Sequence, residues 1–277
     1  MPTAHVNNTE LWYEWTGSGT PLLHIHGGGF GHENFARLTP LLADSFAVLD
    51  FDLRGYGRSA RPDQDYTLKV WSDDVAALMD ALEIERAHVH GTSTGGMVAL
   101  QFAVDHPERL RSLVLTCTVG KVDYAGWLTF EVWIRIMEKL GLEDPTLAML
   151  LALQGFTPEF LDGPEGAETV ETIRKTCAAA CSAAVFSAAC RALQGADFGP
   201  YLGGISAPTL VLTGEDDRMT PVDVGPSGIG SRKLAELIPG ADLIILPGAG
   251  HTHLFQQPQE TAEAILGFLG RIEAGHQ

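Results

Sequence analysis

The sequence predicts an α/β protein: a mostly parallel central sheet with helices on both faces and an inserted helical cap. Three observations lead there. Seven short apolar runs, most of them rich in Val, Ile and Leu and next to Gly or Pro, read as strands buried on both faces. Amphipathic helical stripes stand between these runs. Residues 121–201 then break the alternation, with helical segments and no convincing strand.

Taken in order, the strand runs are residues 11–15, 22–25, 47–51, 87–90, 113–116, 209–213 and 243–246. Trp71, Val75, Leu78 and Leu82 form one apolar stripe, marking a helix from about residue 68. Met97, Leu100 and Val104 repeat the pattern after Gly96, and His106-Pro107 stops that helix. A last helix covers about residues 260–269, with Ile265, Leu266 and Leu269 inward. The inserted stretch carries helical segments at 127–140, 145–153 and 168–193. The expected division is a sheet core of residues 1–120 and 202–277 and a cap of residues 121–201. With no repeat and no low-complexity linker, the two should fold as one unit.

Composition narrows the function classes. A chain of 277 residues, 45% hydrophobic and 19% charged, has ample material for a core. Surface scaling predicts an accessible area of about 11,600 Å² and burial of about 73% of the extended chain. The net charge of −17 repels phosphate backbones and anionic membrane faces, so neither nucleic acid nor membrane is expected as a partner. The opening MPTAHVNNTE has no basic and apolar leader pattern. The longest small apolar stretch, residues 177–190, is alanine, cysteine and serine with too little bulk to span a bilayer. Cys117, Cys177, Cys181 and Cys190 form no CxxC pair and lack His partners at zinc spacing. The expectation is reduced thiols, no metal and a cytoplasmic protein.

The strongest chemical signal is Gly91-Thr92-Ser93-Thr94-Gly95. GxSxG alone is a cheap pattern; a Gly-rich turn with an idle serine would satisfy it. Here it follows a strand and opens a helix, which is what a nucleophile elbow requires. A serine hydroxyl needs a base, and the base an orienting acid. The runs at 209–213 and 243–246 lead into Gly214-Glu215-Asp216-Asp217 and Pro247-Gly248-Ala249-Gly250-His251. An acid and His251 thus follow Ser93 in elbow order, at the carboxyl ends of strands. His253, two residues on, does not directly follow the Gly-rich turn.

A third element is His26-Gly27-Gly28-Gly29-Phe30, after the run at 22–25. Its glycines leave backbone N–H groups free for a developing oxyanion, with the Thr94 N–H as second donor. The alternatives are a merely flexible turn or a phosphate loop. His32 stands where the dinucleotide pattern GxGxxG needs its last glycine, which weakens the phosphate reading.

These residues resemble the α/β-hydrolase superfamily, in particular its small capped members such as β-ketoadipate enol-lactonases, carboxylesterases and cofactor-free haloperoxidases. The likeness also rests on Asp52-Leu53-Arg54-Gly55-Tyr56-Gly57-Arg58-Ser59, on Ala207-Pro208-Thr209-Leu210-Val211 leading into GEDDRMTP, and on PGAGHTHLFQQP. The resemblance implies Ser93 as nucleophile, His251 as base and Asp217, rather than Asp216, as acid. It implies an oxyanion hole at Gly28 and Thr94, and a structural role for Asp52 and Arg54. Two positions depart from the family pattern: Thr94, where Met or Leu is common, and Gly28, where a bulky residue is usual.

Phe30 and His32 are candidates for the acyl pocket, with loop packing the alternative. Trp127, Trp133, Phe156 and Phe186 are candidates for its wall, with plain core the alternative. Arg135, Arg174 and Arg191 are either receptors for a substrate carboxylate or ordinary helix-surface residues. The resulting expectation is a cofactor-free serine hydrolase acting on a small-molecule ester or lactone. The alternatives are carbon–carbon bond hydrolysis, perhydrolysis, or a slow-turnover receptor on the same fold.

Overall fold

A computed structural model describes residues 2–275; Met1, His276 and Gln277, at the ends of the expected core, lie outside the described residues. The chain runs β1 (Thr3–Val6), β2 (Thr9–Thr16), β3 (Pro21–Ile25), α1 (Thr39–Leu42), β4 (Ala47–Phe51), α2 (Leu68–Ala81), β5 (Ala87–Thr92), α3 (Thr94–Asp105) and β6 (Leu110–Thr116). Six helices follow without a strand: α4 (Tyr124–Leu140), α5 (Pro145–Gly155), α6 (Pro158–Leu161), α7 (Gly166–Ala180), α8 (Ala183–Gly195) and α9 (Gly199–Leu202). The sheet resumes with β7 (Thr209–Gly214), α10 (Ser231–Leu237) and β8 (Asp242–Leu246), then α11 (His253–Gln256) and α12 (Pro258–Ala274).

The strands form one sheet in the order β1-β2-β4-β3-β5-β6-β7-β8. All neighbours from β4 to β8 are parallel; β2 runs antiparallel to both β1 and β4. Side chains alternate between two apolar layers, as the pleat dictates. Leu23, Leu49, Leu113 and Val211 join α2, α3 and α10 on one face, while Leu22, Val48, Val114 and Leu210 join α1 and α12 on the other. The accessible area is 11376 Å², close to the size expectation.

The chain leaves β3 toward β4 on one side and returns through β5 on the other. A crevice opens at such a switch point, beyond the carboxyl ends of the two strands. The turns after Ile25 and Thr92 therefore face each other, with Ile25 paired to Gly91.

β1, α1, α6, α9, α10 and α11 lie outside the segments expected from the sequence, and α7 and α8 stand where one segment is expected. β1 has no apolar run; it is a short edge strand with alternate residues exposed, and it turns into β2 through Asn7 and Asn8, both at positive φ. The expected continuous segment at 168–193 is two helices bent by 96°. Cys181 leaves the helix in extended backbone, and the Ser182 hydroxyl caps α8 by accepting from the Val185 N–H. The break lets Cys177 of α7 and Phe186 of α8 both reach the core. Among the described residues no single helix is long and apolar enough to cross a membrane.

Candidate active site

Ser93 occupies a backbone conformation few non-glycine residues adopt, with φ 53° and ψ −118°. Its neighbours make the turn possible. A Cβ at Gly91 would overlap the Gly95 carbonyl, and one at Gly95 would overlap the carbonyls of Ile25 and His26. At Gly96 a Cβ would stand 2.6 Å from that of Thr118. The strained residue is then held from both sides. Its N–H donates to the Thr116 carbonyl at 2.9 Å, and the Thr118 hydroxyl donates to its carbonyl at 2.8 Å.

The loops after β7 and β8 bring two more side chains to this turn. His251 Nε2 lies 3.0 Å from Ser93 Oγ, and His251 Nδ1 lies 2.9 and 3.1 Å from the two oxygens of Asp217. Asp217 is anchored by the N–H groups of Met219 and Thr220, both at 2.8 Å, and by the Thr220 hydroxyl at 2.7 Å. Burial pushes its carboxyl up, but the charge of His251 and these hydrogen bonds outweigh it, bringing the pKa down to about 2. A carboxylate there keeps the imidazole proton on Nδ1, leaving the Nε2 lone pair toward the serine. Such a relay can take the hydroxyl proton as Ser93 Oγ attacks a carbonyl carbon.

The competing candidates sit elsewhere. Asp216 is exposed; its backbone N–H donates to the Ala249 carbonyl. His253 is fully buried beside Thr261, its Nδ1 2.9 Å from that hydroxyl, and burial lowers its pKa to about 4. All four cysteines are free and buried. Asp52 and Arg54 tie loops together: Asp52 accepts from the backbone of His32 and Arg58, and Arg54 donates to Asp74 through Nε at 2.7 Å.

The glycine turn lies over Ser93. Its shape is set by His26, whose Nε2 accepts from the Leu53 N–H at 3.0 Å, and by Asn34, whose Oδ1 accepts from the Gly27 N–H at 2.7 Å. Gly29 has φ 81°, and a Cβ there would stand 2.5 Å from the Phe186 ring. The N–H groups of Gly28 and Thr94 have no acceptor among the described residues, and both residues line the same cavity as Ser93 and His251.

That cavity has a volume of about 410 Å³ and lies between the sheet core and the helical insertion. Its walls include Phe30, Phe130, Trp133, Leu151, Phe156 and Phe186. Of the pocket candidates, Phe30, Trp133, Phe156 and Phe186 thus line this cavity. His32 and Trp127 do not. The His32 ring is turned onto Asp52, 2.9 Å from its oxygen, and packs at a 44° tilt against the Trp12 ring. Trp127 is 38% exposed and packs against Tyr124 on the outside of α4. Arg135, Arg174 and Arg191 pair with surface glutamates, away from the cavity.

Polar groups that the sequence did not mark stand in the lining: Glu33, Asn34, Arg37, Glu165 and Glu168. Among the described residues Arg37 is the only arginine or lysine there. It is spent on Glu165 at 2.8 Å, on the Phe255 carbonyl at 3.1 Å, and on the face of the Phe255 ring. No local motif announces these residues; the packing of the insertion against the segment after β3 brings them to the cavity.

The alpha/beta hydrolase family profile matches residues 22–264. A protein of Azorhizobium caulinodans, provisionally named carbamate hydrolase RutD, is 30% identical, over 99% of this chain and 100% of its own. The 3-oxoadipate enol-lactonase 2 of Acinetobacter baylyi is 31% identical over 83% of this chain and 80% of its own. The crystal structure of the enol-lactonase from Burkholderia xenovorans LB400 superposes with a TM-score of 0.85 at 27% identity. It covers 97% of this chain and 100% of that one.

Proposed function

Since this chain belongs to the alpha/beta hydrolase family, we propose that it is a serine hydrolase cleaving a carboxylic ester or lactone through an acyl-enzyme. One observation carries the reading: the Ser93–His251–Asp217 hydrogen-bonded series ends at a cavity floor where two backbone N–H groups lack acceptors among the described residues. Ser93 Oγ attacks the carbonyl carbon while His251 Nε2 takes its proton. Asp217 stabilises the imidazolium, and the N–H groups of Gly28 and Thr94 receive the oxyanion. His251 returns the proton to the leaving alkoxide. Water, activated by the same imidazole, then attacks the acyl-enzyme and releases the acid. Residues 121–201 act as the cap, contributing Phe130, Trp133 and Phe186 to the apolar wall that excludes bulk water.

The lining also bears on the substrate. Three glutamates stand there against one arginine, and that arginine is already paired. A substrate carboxylate at that end would meet repulsion without a free cation to offset it. The favoured substrate is therefore uncharged or cationic away from the scissile bond, unlike the acid in the name of the enol-lactonase relative. Carbon–carbon bond hydrolysis by the same residues is the second reading, since a 2-hydroxymuconate semialdehyde hydrolase from Pseudomonas is 28% identical over 94% of this chain.

The test is a panel of chromogenic esters, lactones and diketones, with neutral and carboxylated versions of each. The expected result is many turnovers on neutral esters or lactones, at least about 10-fold weaker kcat/KM on carboxylated analogues, and stoichiometric labelling of Ser93 by a fluorophosphonate. One product per protein would indicate a receptor. Turnover confined to diketones would move the assignment to carbon–carbon cleavage.

A further inference from the structure

Thr94 contributes more to the site than a backbone N–H. It opens α3 immediately after Ser93, the residue is only 5% exposed, and it lines the cavity. Its hydroxyl makes no hydrogen bond to any described residue. The neighbouring hydroxyls of Thr118 and Thr220 are spent, on the Ser93 carbonyl and on Asp217 respectively. A hydroxyl that reaches the cavity without a protein partner is free to donate its proton to a group bound there.

Its place identifies that use. A Cβ built on Gly28 would stand 2.8 Å from Thr94 Oγ1, so the hydroxyl lies beside the other backbone donor of the site. A side chain at residue 28 would press on this oxygen; glycine leaves the space open. The two departures from the family pattern, Gly28 and Thr94, are thus one feature in space: a missing side chain and the hydroxyl beside the gap.

Resting on the serine hydrolase reading, we propose that the Thr94 side-chain hydroxyl is a third donor to the oxyanion, alongside the N–H groups of Gly28 and Thr94. As the Ser93 Oγ–carbon bond forms, the carbonyl π pair moves onto oxygen and the serine proton goes to His251 Nε2. The Thr94 O–H points its hydrogen at that oxygen and keeps it; no proton is transferred. The same contact recurs when water attacks the acyl-enzyme. Because full negative charge exists only in the tetrahedral state, the hydroxyl acts mainly on kcat.

The experiment compares Thr94→Val, which keeps the shape and loses the hydroxyl, with Thr94→Ser, which keeps the hydroxyl. Thr94→Ala serves as a second hydroxyl-free variant in case valine disturbs the turn. On one neutral ester, Thr94→Val and Thr94→Ala should each lower kcat by about 10- to 100-fold, with KM within about 3-fold of the parent. Thr94→Ser should stay within about 3-fold in both. Inhibition by a trifluoromethyl ketone, whose hemiketal oxyanion occupies the same place, should weaken in proportion to kcat across the series. Binding of the product alcohol should not change. Unchanged kcat in Thr94→Val, an equal loss in Thr94→Ser, or a loss confined to KM overturns the proposal. Ser93→Ala separates this from the parent reading: if it still turns over, the serine mechanism fails, whereas failure of the Thr94 series leaves Ser93→Ala inactive.

Discussion

Replacing Asp217 by asparagine tests the relay at its most informative point. In the native site one carboxylate oxygen, Oδ1, accepts from the N–H groups of Met219 and Thr220, each at 2.8 Å. The other, Oδ2, faces the Thr220 hydroxyl at 2.7 Å and His251 Nδ1 at 2.9 Å. An asparagine must leave its carbonyl oxygen on the two backbone donors, because an NH₂ there would face N–H groups. Its Nδ2 then faces His251 Nδ1 and donates. The imidazole can accept only by moving its proton to Nε2, which leaves no lone pair for the Ser93 hydroxyl at 3.0 Å. The variant also loses the charge that stabilises the imidazolium. In a serine protease the same exchange costs about 10⁴ in kcat, or ~5 kcal/mol. Asp216→Asn, at an exposed neighbouring carboxylate, should cost no more than a few fold. Both variants are to be assayed by initial rates on one chromogenic ester at neutral pH, after circular dichroism shows each folded. Equal losses would point to a loop effect in place of an orienting acid. A larger loss at Asp216 would refute the assignment of the acid.

Other outcomes follow from the same geometry. His251→Ala should abolish hydrolysis and His253→Ala retain it, since His253 is directed at Thr261. His253 is also a source of acid sensitivity. Its pKa is lowered by burial from 6.5 to about 4, so the stabilisation is present above pH ~6.5 and lost as pH falls toward 4. The loss approaches about 3 kcal/mol; urea midpoints at pH 7.5 and 5 should diverge less in His253→Gln than in the parent. Ser93→Gly and Ser93→Ala should both be inactive, but the glycine variant should be about 1 kcal/mol more stable, because only glycine adopts φ 53° without strain; thermal unfolding reads the difference. Gly95→Ala should destabilise by more than about 3 kcal/mol or fail to fold, because its methyl group would overlap backbone carbonyls of β3 and the turn after it.

The sequence by itself determined the parts whose signal is local. A strand packed under helices is mostly apolar along its length, so β3, β4, β6, β7 and β8 stand out as Val-, Ile- and Leu-rich runs, while β5, Ala-His-Val-His-Gly-Thr, is weaker. A tight strand-to-helix turn must carry small residues, so Gly91, Gly95 and Gly96 mark Ser93. Asp217 and His251 follow because each stands at the carboxyl end of such a strand. β1 escaped notice because an edge strand buries only alternate side chains; its Asn7-Asn8 turn was the available clue. Ser182 likewise marked the break between α7 and α8, but a hydroxyl in a helical run reads as a cap only when the preceding residue leaves the helix. Tertiary structure alone decided which side chains face the cavity. Trp127 and Trp133 share helix α4, yet only Trp133 meets the core, because six residues turn the helix through about 600°, well off the same face. Asn34, Arg37 and Glu165 gather across the gap between core and insertion, and the Gly28–Thr94 contact joins residues from two turns. These are distances between separate elements. Pattern along the chain reports what each segment must bury, and only the packing of segments against one another sets what meets across the space between them.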